Sequence, residues 1–175
     1  MADTPLPPGF TAMKMDQARN ALETALGSDK VFFEDLDRVS YRDKFSVDDA
    51  AHHPGGAIAP TSVEEVQAAV RVANQFRLPI FPVARGKNLG YGGTAPVLAG
   101  SVVMDLSRMK RIEFDEKLGT VLLEPGVGFY DLYDYLQANN LPYWLSTPGN
   151  SWGSVMGNAL DRGVGYTPYG EHTKN

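Results

Sequence analysis

Between Pro82 and Gly93 the chain runs Pro82-Val83-Ala84-Arg85-Gly86-Lys87-Asn88-Leu89-Gly90-Tyr91-Gly92-Gly93, a glycine-punctuated loop with two cations and no acid. Glycine admits positive φ and lets a ligand approach the backbone, so successive N–H groups can turn toward one anion while Arg85 and Lys87 add charge. That chemistry suits a pyrophosphate. The loop lacks the lysine followed by Ser or Thr of a Walker loop, and its glycines do not fall at the G-x-G-x-x-G spacing of a dinucleotide turn. No long helical pattern follows it. Pro96, Gly100 and the strand-like Ser101-Val102-Val103-Met104-Asp105-Leu106 come next, so the site joins two strands and owes little to a helix dipole. On composition alone the same residues also describe a tight glycine hairpin with two solvated cations.

Local charge favours the anion site. The protein carries a formal net charge of −5, yet no Asp or Glu occurs between Glu65 and Asp105, where Arg71, Arg77, Arg85 and Lys87 all fall. A basic segment within an acidic chain reads as a local anion site rather than a nucleic-acid surface. At 175 residues and 43% hydrophobic content the chain can bury one core or two small lobes. Cysteine is absent, which excludes disulfides and thiolate chemistry, and His52, His53 and His172 are too few for a metal centre. The proline-rich start, Met1 to Phe10, lacks the pattern of a secretory signal, and no run approaches the ~20 apolar residues of a membrane span. The default expectation is a cytoplasmic protein without membrane contact, a periplasmic location being left open.

The elements that must hold the loop are legible on either side of it. Apolar residues at helical spacing predict a helix from about Met13 to Leu26, stopped by Gly27. Val31-Phe32-Phe33 reads as a short strand, and Asp35 to Ala51 as a long polar connection. Ala57-Ile58-Ala59-Pro60 is strand-like, Ser62 and Glu65 form a capping-box pattern, Val66, Ala69, Val70 and Ala73 make an apolar helical face, and Pro79 to Val83 is a strand. This is a β-α-β unit that ends at the loop. Val102 to Leu106 and Thr120 to Leu123 read as strands, and Tyr130 to Asn139 as a helix ending where Asn139-Asn140 tolerates a left-handed turn.

A second glycine-rich block begins at Pro148. Gly149, Gly153 and Gly157 are interspersed with Trp152, Met156 and Leu160, and Gly163, Gly165 and Gly170 follow in what reads as continuing loop. A flexible linker has no use for these large apolar residues, whereas backbone wrapped closely around a flat aromatic ligand does.

The string Gly86-Lys87-Asn88-Leu89-Gly90-Tyr91-Gly92, followed at a distance by Leu160-Asp161-Arg162-Gly163-Val164-Gly165-Tyr166-Thr167-Pro168-Tyr169-Gly170-Glu171-His172, resembles the N-terminal FAD-binding region of the vanillyl-alcohol oxidase and p-cresol methylhydroxylase family. The similarity runs from about Leu6 to His172. It implies an α+β fold, an FAD-binding domain of two small α+β lobes that is C-terminally incomplete here, with residues 1–50 as an N-terminal helix and arm and 51–175 as the FAD-binding part. It implies FAD contacts from Arg85, Gly86, Lys87, Asn88, Leu89, Gly90, Tyr91 and Gly92 in the first block. In the second block it implies them from Pro148, Gly153, Ser154, Gly157, Asn158, Gly163, Tyr166 and Gly170. Members oxidise para-substituted phenols by passing hydride from the side-chain α-carbon to flavin N5. Tyr91 matches a family tyrosine that contacts the phenolic oxygen, and a donor there stabilises the charge that drives hydride loss. His52 is read as an ordinary exposed histidine, His172 as near the cofactor, and Asp161 with Arg162 as a loop-stiffening ion pair.

Two departures from the family pattern bear on function. Pro148 is followed by Gly149 where the vanillyl-alcohol and eugenol oxidases carry an aspartate, and the branch that passes electrons to a cytochrome c lacks that aspartate too; Trp152-Gly153-Ser154-Val155 resembles the oxidase branch instead. Family members are also much longer, so the chain is expected to be a fragment, inactive alone and homodimeric when complete. Two alternatives stay open from the sequence: a non-catalytic nucleotide-binding fragment, or the FAD domain of a hydroxy-acid or sugar oxidoreductase of the same fold.

Overall fold

The computed structural model describes residues 4–43, 46–48, 50–87, 95–148, 152–161, 163–167 and 170–173. It divides into two compact units, one formed by Met1–Val83 with Asn88–Arg108, the other by Ala84–Lys87 with Met109–Asn175.

In the first unit, α1 (Ala12–Leu26) begins where Thr11 Oγ1 accepts from Lys14 N and ends at Gly27, which takes φ 92°. β1 (Val31–Phe32) follows. The polar stretch expected to be a bare connection instead forms α2 (Asp35–Ser40). Glu34 N donates to Asp37 Oδ2 at 3.3 Å, and the Arg38 side chain folds back to pair with Asp35 and to donate to the Phe33 carbonyl. Local capping therefore makes a helix that apolar periodicity does not announce. β2 (Gly56–Ile58), α3 (Val63–Phe76) and β3 (Ile80–Val83) realise the expected β-α-β unit.

At the head of α3, Ser62 Oγ accepts from Glu65 N. The Glu65 carboxylate turns to Thr61 N and Oγ1 and to Lys30 rather than completing the box on Ser62. Those contacts hold the Glu65 carboxyl below its ordinary value, the hydrogen bond from Lys30 contributing most.

β4 (Val102–Asp105) lies between β2 and β3, parallel to both, while β1 pairs antiparallel with β2, giving the order β1-β2-β4-β3. Pro82 is tolerated inside β3 because that strand is an edge. Adjacent parallel strands need a crossover of about a dozen residues or more, usually a helix. Between β3 and β4 that crossover is the segment 84–101, which carries the glycine loop. Met15, Ala18, Leu22 and Leu26 of α1 pack with Ala69 and Ala73 of α3 and with Ile58, Val102 and Met104 of the sheet to form the core.

The second unit starts from smaller pieces. β5 (Ile112–Asp115) and β6 (Thr120–Leu123) form a hairpin, paired Ile112 to Leu123 and Asp115 to Thr120. Its turn is closed by Asp115 Oδ1 accepting from Lys117 N and Leu118 N, with Gly119 at φ 63°. α4 (Phe129–Ala138) follows, and Asn140 takes φ 52° just past its end, where a left-handed residue was expected. Val127, Leu132 and Leu136 are buried among Ile112, Phe114, Val121, Leu123, Leu141, Leu145 and Val155. The second glycine block, expected as loop, contains α5 (Val155–Leu160) and the hairpin of β7 (Val164–Thr167) with β8 (Gly170–Thr173). Ser154 supplies the missing signal: its Oγ accepts from Gly157 N at 2.9 Å and caps α5.

Candidate functional site

The part of the first glycine block that the structure describes is Ala84 to Lys87. Gly86 takes φ 60°, a left-handed turn that places the backbone where a side chain would be strained. On one side of it the Lys87 side chain is exposed and has no ion-pair partner among the described residues. Arg85 behaves differently. Its Nη1 lies 2.6 Å from Asp131 Oδ2, and its side chain is three-quarters buried. An acid absent from the local sequence thus reaches the loop from 46 positions further along.

Asp131 is the third residue of α4, and it collects three donors. Arg85 Nη1 and the Gly128 N–H, at 2.8 Å, share Oδ2, while Lys110 Nζ approaches Oδ1 at 3.4 Å. Partial burial opposes its charge, but the Gly128 N–H, Lys110 and Arg85 together outweigh that and hold the carboxyl below its ordinary value. Glycine at 128 leaves room for this pairing: a Cβ there would sit 2.2 Å from Arg85 Nη1, so the guanidinium would have to move. Neither Gly128 nor Asp131 is a candidate from the sequence. The signal that could have found them is an acid three positions after the glycine that opens a helix, half of a capping box.

The second glycine block meets the same helix end. Phe129 N donates to the Gly153 carbonyl and Val155 N to the Val127 carbonyl, so Gly128 and Ser154 face each other across an isolated antiparallel bridge. A Cβ on Gly157 would come 3.8 Å from the Cβ of Ala84. Two segments some seventy positions apart in the chain therefore converge on the N-terminus of α4, within one unit.

Beyond α5, Gly163 N donates to the Asn158 carbonyl at 2.7 Å, and Gly163 lies so close to the Asn158 amide that no side chain fits there. Asn158 Oδ1 is buried with no hydrogen-bond partner among the described residues. A buried acceptor lacking a donor is costly unless something supplies one. Tyr166 is exposed, its N–H donating to the Thr147 carbonyl at 2.8 Å, and Pro148 is half-buried beside that bridge. Gly153 has open space where a Cβ would stand. Gly170 pairs with Thr167 at the turn of the β7–β8 hairpin.

Of the expected cofactor contacts, Arg85, Gly86, Lys87, Gly153, Ser154, Gly157 and Asn158 thus gather in one region. Asn88, Leu89, Gly90, Tyr91 and Gly92 lie outside the described residues, as do Arg162, expected to pair with Asp161, and the His172 side chain. In the first unit, His52 is half-buried and its Nδ1 lies 3.1 Å from the Pro96 carbonyl. Among the described residues no group of His, Cys, Asp and Glu could hold a metal, and no helix is long and apolar enough to cross a membrane.

A large dinucleotide with a diphosphate and a polar-edged ring fits this donor set. An open cation and a left-handed glycine stand in one segment, and glycines with an orphaned buried acceptor stand in the other. Comparison with known proteins gives the same answer. Residues 54–175 match the family model for the FAD binding domain. The chain is 44% identical over 170 residues to the 4-cresol dehydrogenase [hydroxylating] flavoprotein subunit of Pseudomonas putida, an alignment covering 95% of this chain and 33% of that one. Among solved structures it resembles p-cresol methylhydroxylase with substrate bound, with a TM-score of 0.90 and 43% identity over 96% of this chain and 33% of that one. It also resembles the isoeugenol complex of 4-ethylphenol oxidase from Gulosibacter chungangensis, with a TM-score of 0.90 and 38% identity over 95% and 32%. The chain spans about a third of the length of these relatives. It belongs to the FAD binding domain family, in the vanillyl-alcohol oxidase and p-cresol methylhydroxylase group of flavoenzymes, and its cofactor is FAD.

Proposed function

We propose that this chain is the FAD-binding portion, centred on residues 51–175, of an oxidoreductase that oxidises para-substituted phenols. The observation that carries the reading is the 44% identity to a 4-cresol dehydrogenase flavoprotein subunit over nearly the whole chain. The meeting of two glycine segments at the head of α4 supports it.

FAD, when bound, supplies the acceptor for a hydride leaving the side-chain α-carbon of the phenol. The residues of this chain prepare for that. Lys87 would offer an open cation to the diphosphate, and the left-handed backbone at Gly86 would let the chain approach the same charge closely. Gly153 and Gly157 leave room for close approach along the second segment, and Asn158 Oδ1 accepts a hydrogen bond from an N–H of the ligand. Pro148, Gly163, Tyr166 and Gly170 would add further contacts from the second block. Asn88, Leu89, Gly90 and Gly92 extend the first segment's contacts. Tyr91 donates to the phenolic oxygen, stabilising phenolate and raising electron density at the para carbon. Further parts of this reading are a cytochrome c as electron acceptor, a homodimeric complete enzyme, a cytoplasmic setting and no nucleic-acid partner.

Anaerobic stopped flow on the full-length protein tests it. 4-Cresol should bleach the flavin absorbance, and D-lactate or glucose should not. Replacing Tyr91 with Phe removes one hydroxyl beside a developing charge, a loss of about 1.5–3 kcal/mol, or roughly tenfold to a hundredfold in reduction rate. Faster reduction by a hydroxy acid or a sugar than by any para-alkylphenol would overturn the substrate class, and an unchanged rate in the Phe variant would overturn the role of Tyr91.

A further inference from the structure

The two cations of the first glycine block are not equivalent. Lys87 is exposed, whereas Arg85 is held by a carboxylate that belongs to α4. The same Asp131 Oδ2 accepts the Gly128 N–H, and Gly128 in turn is bridged to Ser154 at the start of the second block. Gly128 lies so close to Arg85 Nη1 that the guanidinium and the helix start can adopt this arrangement only while position 128 lacks a side chain.

From these contacts we propose that Asp131 is a positioning residue for FAD: by holding Arg85 against Gly128 it fixes the first glycine segment relative to the second, and leaves Lys87 as the cation that meets the diphosphate. Arg85 then acts as a strut. The inference rests on the FAD assignment above and divides the roles of residues that composition treats as a pair.

An alternative arrangement of the same groups makes the opposite prediction. If Arg85 were a phosphate ligand, Asp131 would compete with the cofactor for it, and removing the acid would tighten FAD binding. If Arg85 is a strut, removing the acid loosens the segment and weakens binding.

The experiment is titration of FAD into the full-length apoprotein, followed by flavin fluorescence at several salt concentrations. Asp131→Asn should weaken binding about tenfold, the scale of one lost charge-assisted hydrogen bond. Arg85→Met should do the same, and the double variant should be no worse than either single one, because both remove one interaction. Lys87→Met should add its loss independently and flatten the salt dependence, which Arg85→Met should leave in place. Asp131→Glu, which keeps a carboxylate at the third helical position, should recover most of the affinity. Gly128→Ala keeps every charge but crowds the Arg85 guanidinium and the Asp131 carboxylate, so it should weaken binding to a similar extent, and it decides the matter should Asp131→Asn fail to fold.

Unchanged or tighter binding in Asp131→Asn, multiplicative losses in the double variant, no recovery with Glu, or parent-like affinity in Gly128→Ala would each overturn the proposal. A parent protein that binds no FAD would instead overturn the cofactor assignment, so the two failures are distinguishable.

Discussion

The two units of the chain are held together by different means. In the first, α1, α3 and the mixed sheet bury Met15, Leu22, Leu26, Ile58, Val102 and Met104 against one another, and order comes from close packing of apolar side chains. In the second, the buried apolar cluster among the described residues is smaller, made of Val127, Leu132 and Leu136. Much of its order lies in hydrogen bonds between loop backbones and in the Asp131 cluster. Its surface also carries exposed aromatics, with Trp144 at 78% and Trp152 at 64%. The contrast teaches a division of labour. A platform is made by filling volume, whereas a ligand wall is made by leaving volume empty and fixing bare backbone with polar links.

That division can be broken most sharply at Leu22, which is fully buried. Leu22→Ala should cost about 3–5 kcal/mol, because close-packed surroundings relax little around the cavity. Leu132→Ala, in the thinner core of the second unit, should cost about 2 kcal/mol, the low end of the range for such a change. Urea denaturation of the two variants compares them directly, and an equal loss would mean that the second core is as tightly packed as the first.

A smaller effect is expected at Gly100, which takes φ 81° with Pro7 N only 2.2 Å from where a Cβ would stand. Gly100→Ala should destabilise by about 1–2 kcal/mol from the left-handed backbone alone, with further loss as the Leu6–Pro7 arm is pushed away. Hydrogen exchange at Phe10, whose N–H donates to the Pro7 carbonyl, reads the displacement of that arm.

The smallest effect is electrostatic. The Asp131 carboxyl is held below its ordinary value when folded. Its ionised form therefore adds stability at pH above the ordinary aspartate value of about 3.9, and that contribution fades as pH falls through this value toward the depressed folded one. Asp131→Asn should be less stable than the parent at neutral pH and converge on it below about pH 4. Thermal midpoints across that range should show the convergence, and parallel curves would mean that the carboxylate contributes no pH-dependent stability.

Much of the scaffold is encoded in neighbouring residues. Thr11 and Ser62 cap their helices, Gly27 and Asn140 end theirs, and the continuous apolar run at Val102-Val103-Met104 marks a strand, because each signal acts through residues within a few positions. Ile112–Asp115 carries little strand signal of its own because its partner lies across a turn set by Asp115 and Gly119 rather than by a two-residue loop. The helix at Val155 was hidden by glycines that lower its propensity, while Ser154 and the bridge to Gly128 stabilise it.

By itself the sequence determined the glycine segments, their family and hence FAD, because the long motif strings are local facts of the chain. Tertiary structure alone decided that β4 inserts between β2 and β3, that the two glycine segments meet at Gly128, and that Arg85 is neutralised by an acid 46 positions away. A charge count along the chain sees only neighbours in sequence. Coulombic pairing depends on neighbours in space, and the folding of the loop against α4 chose those.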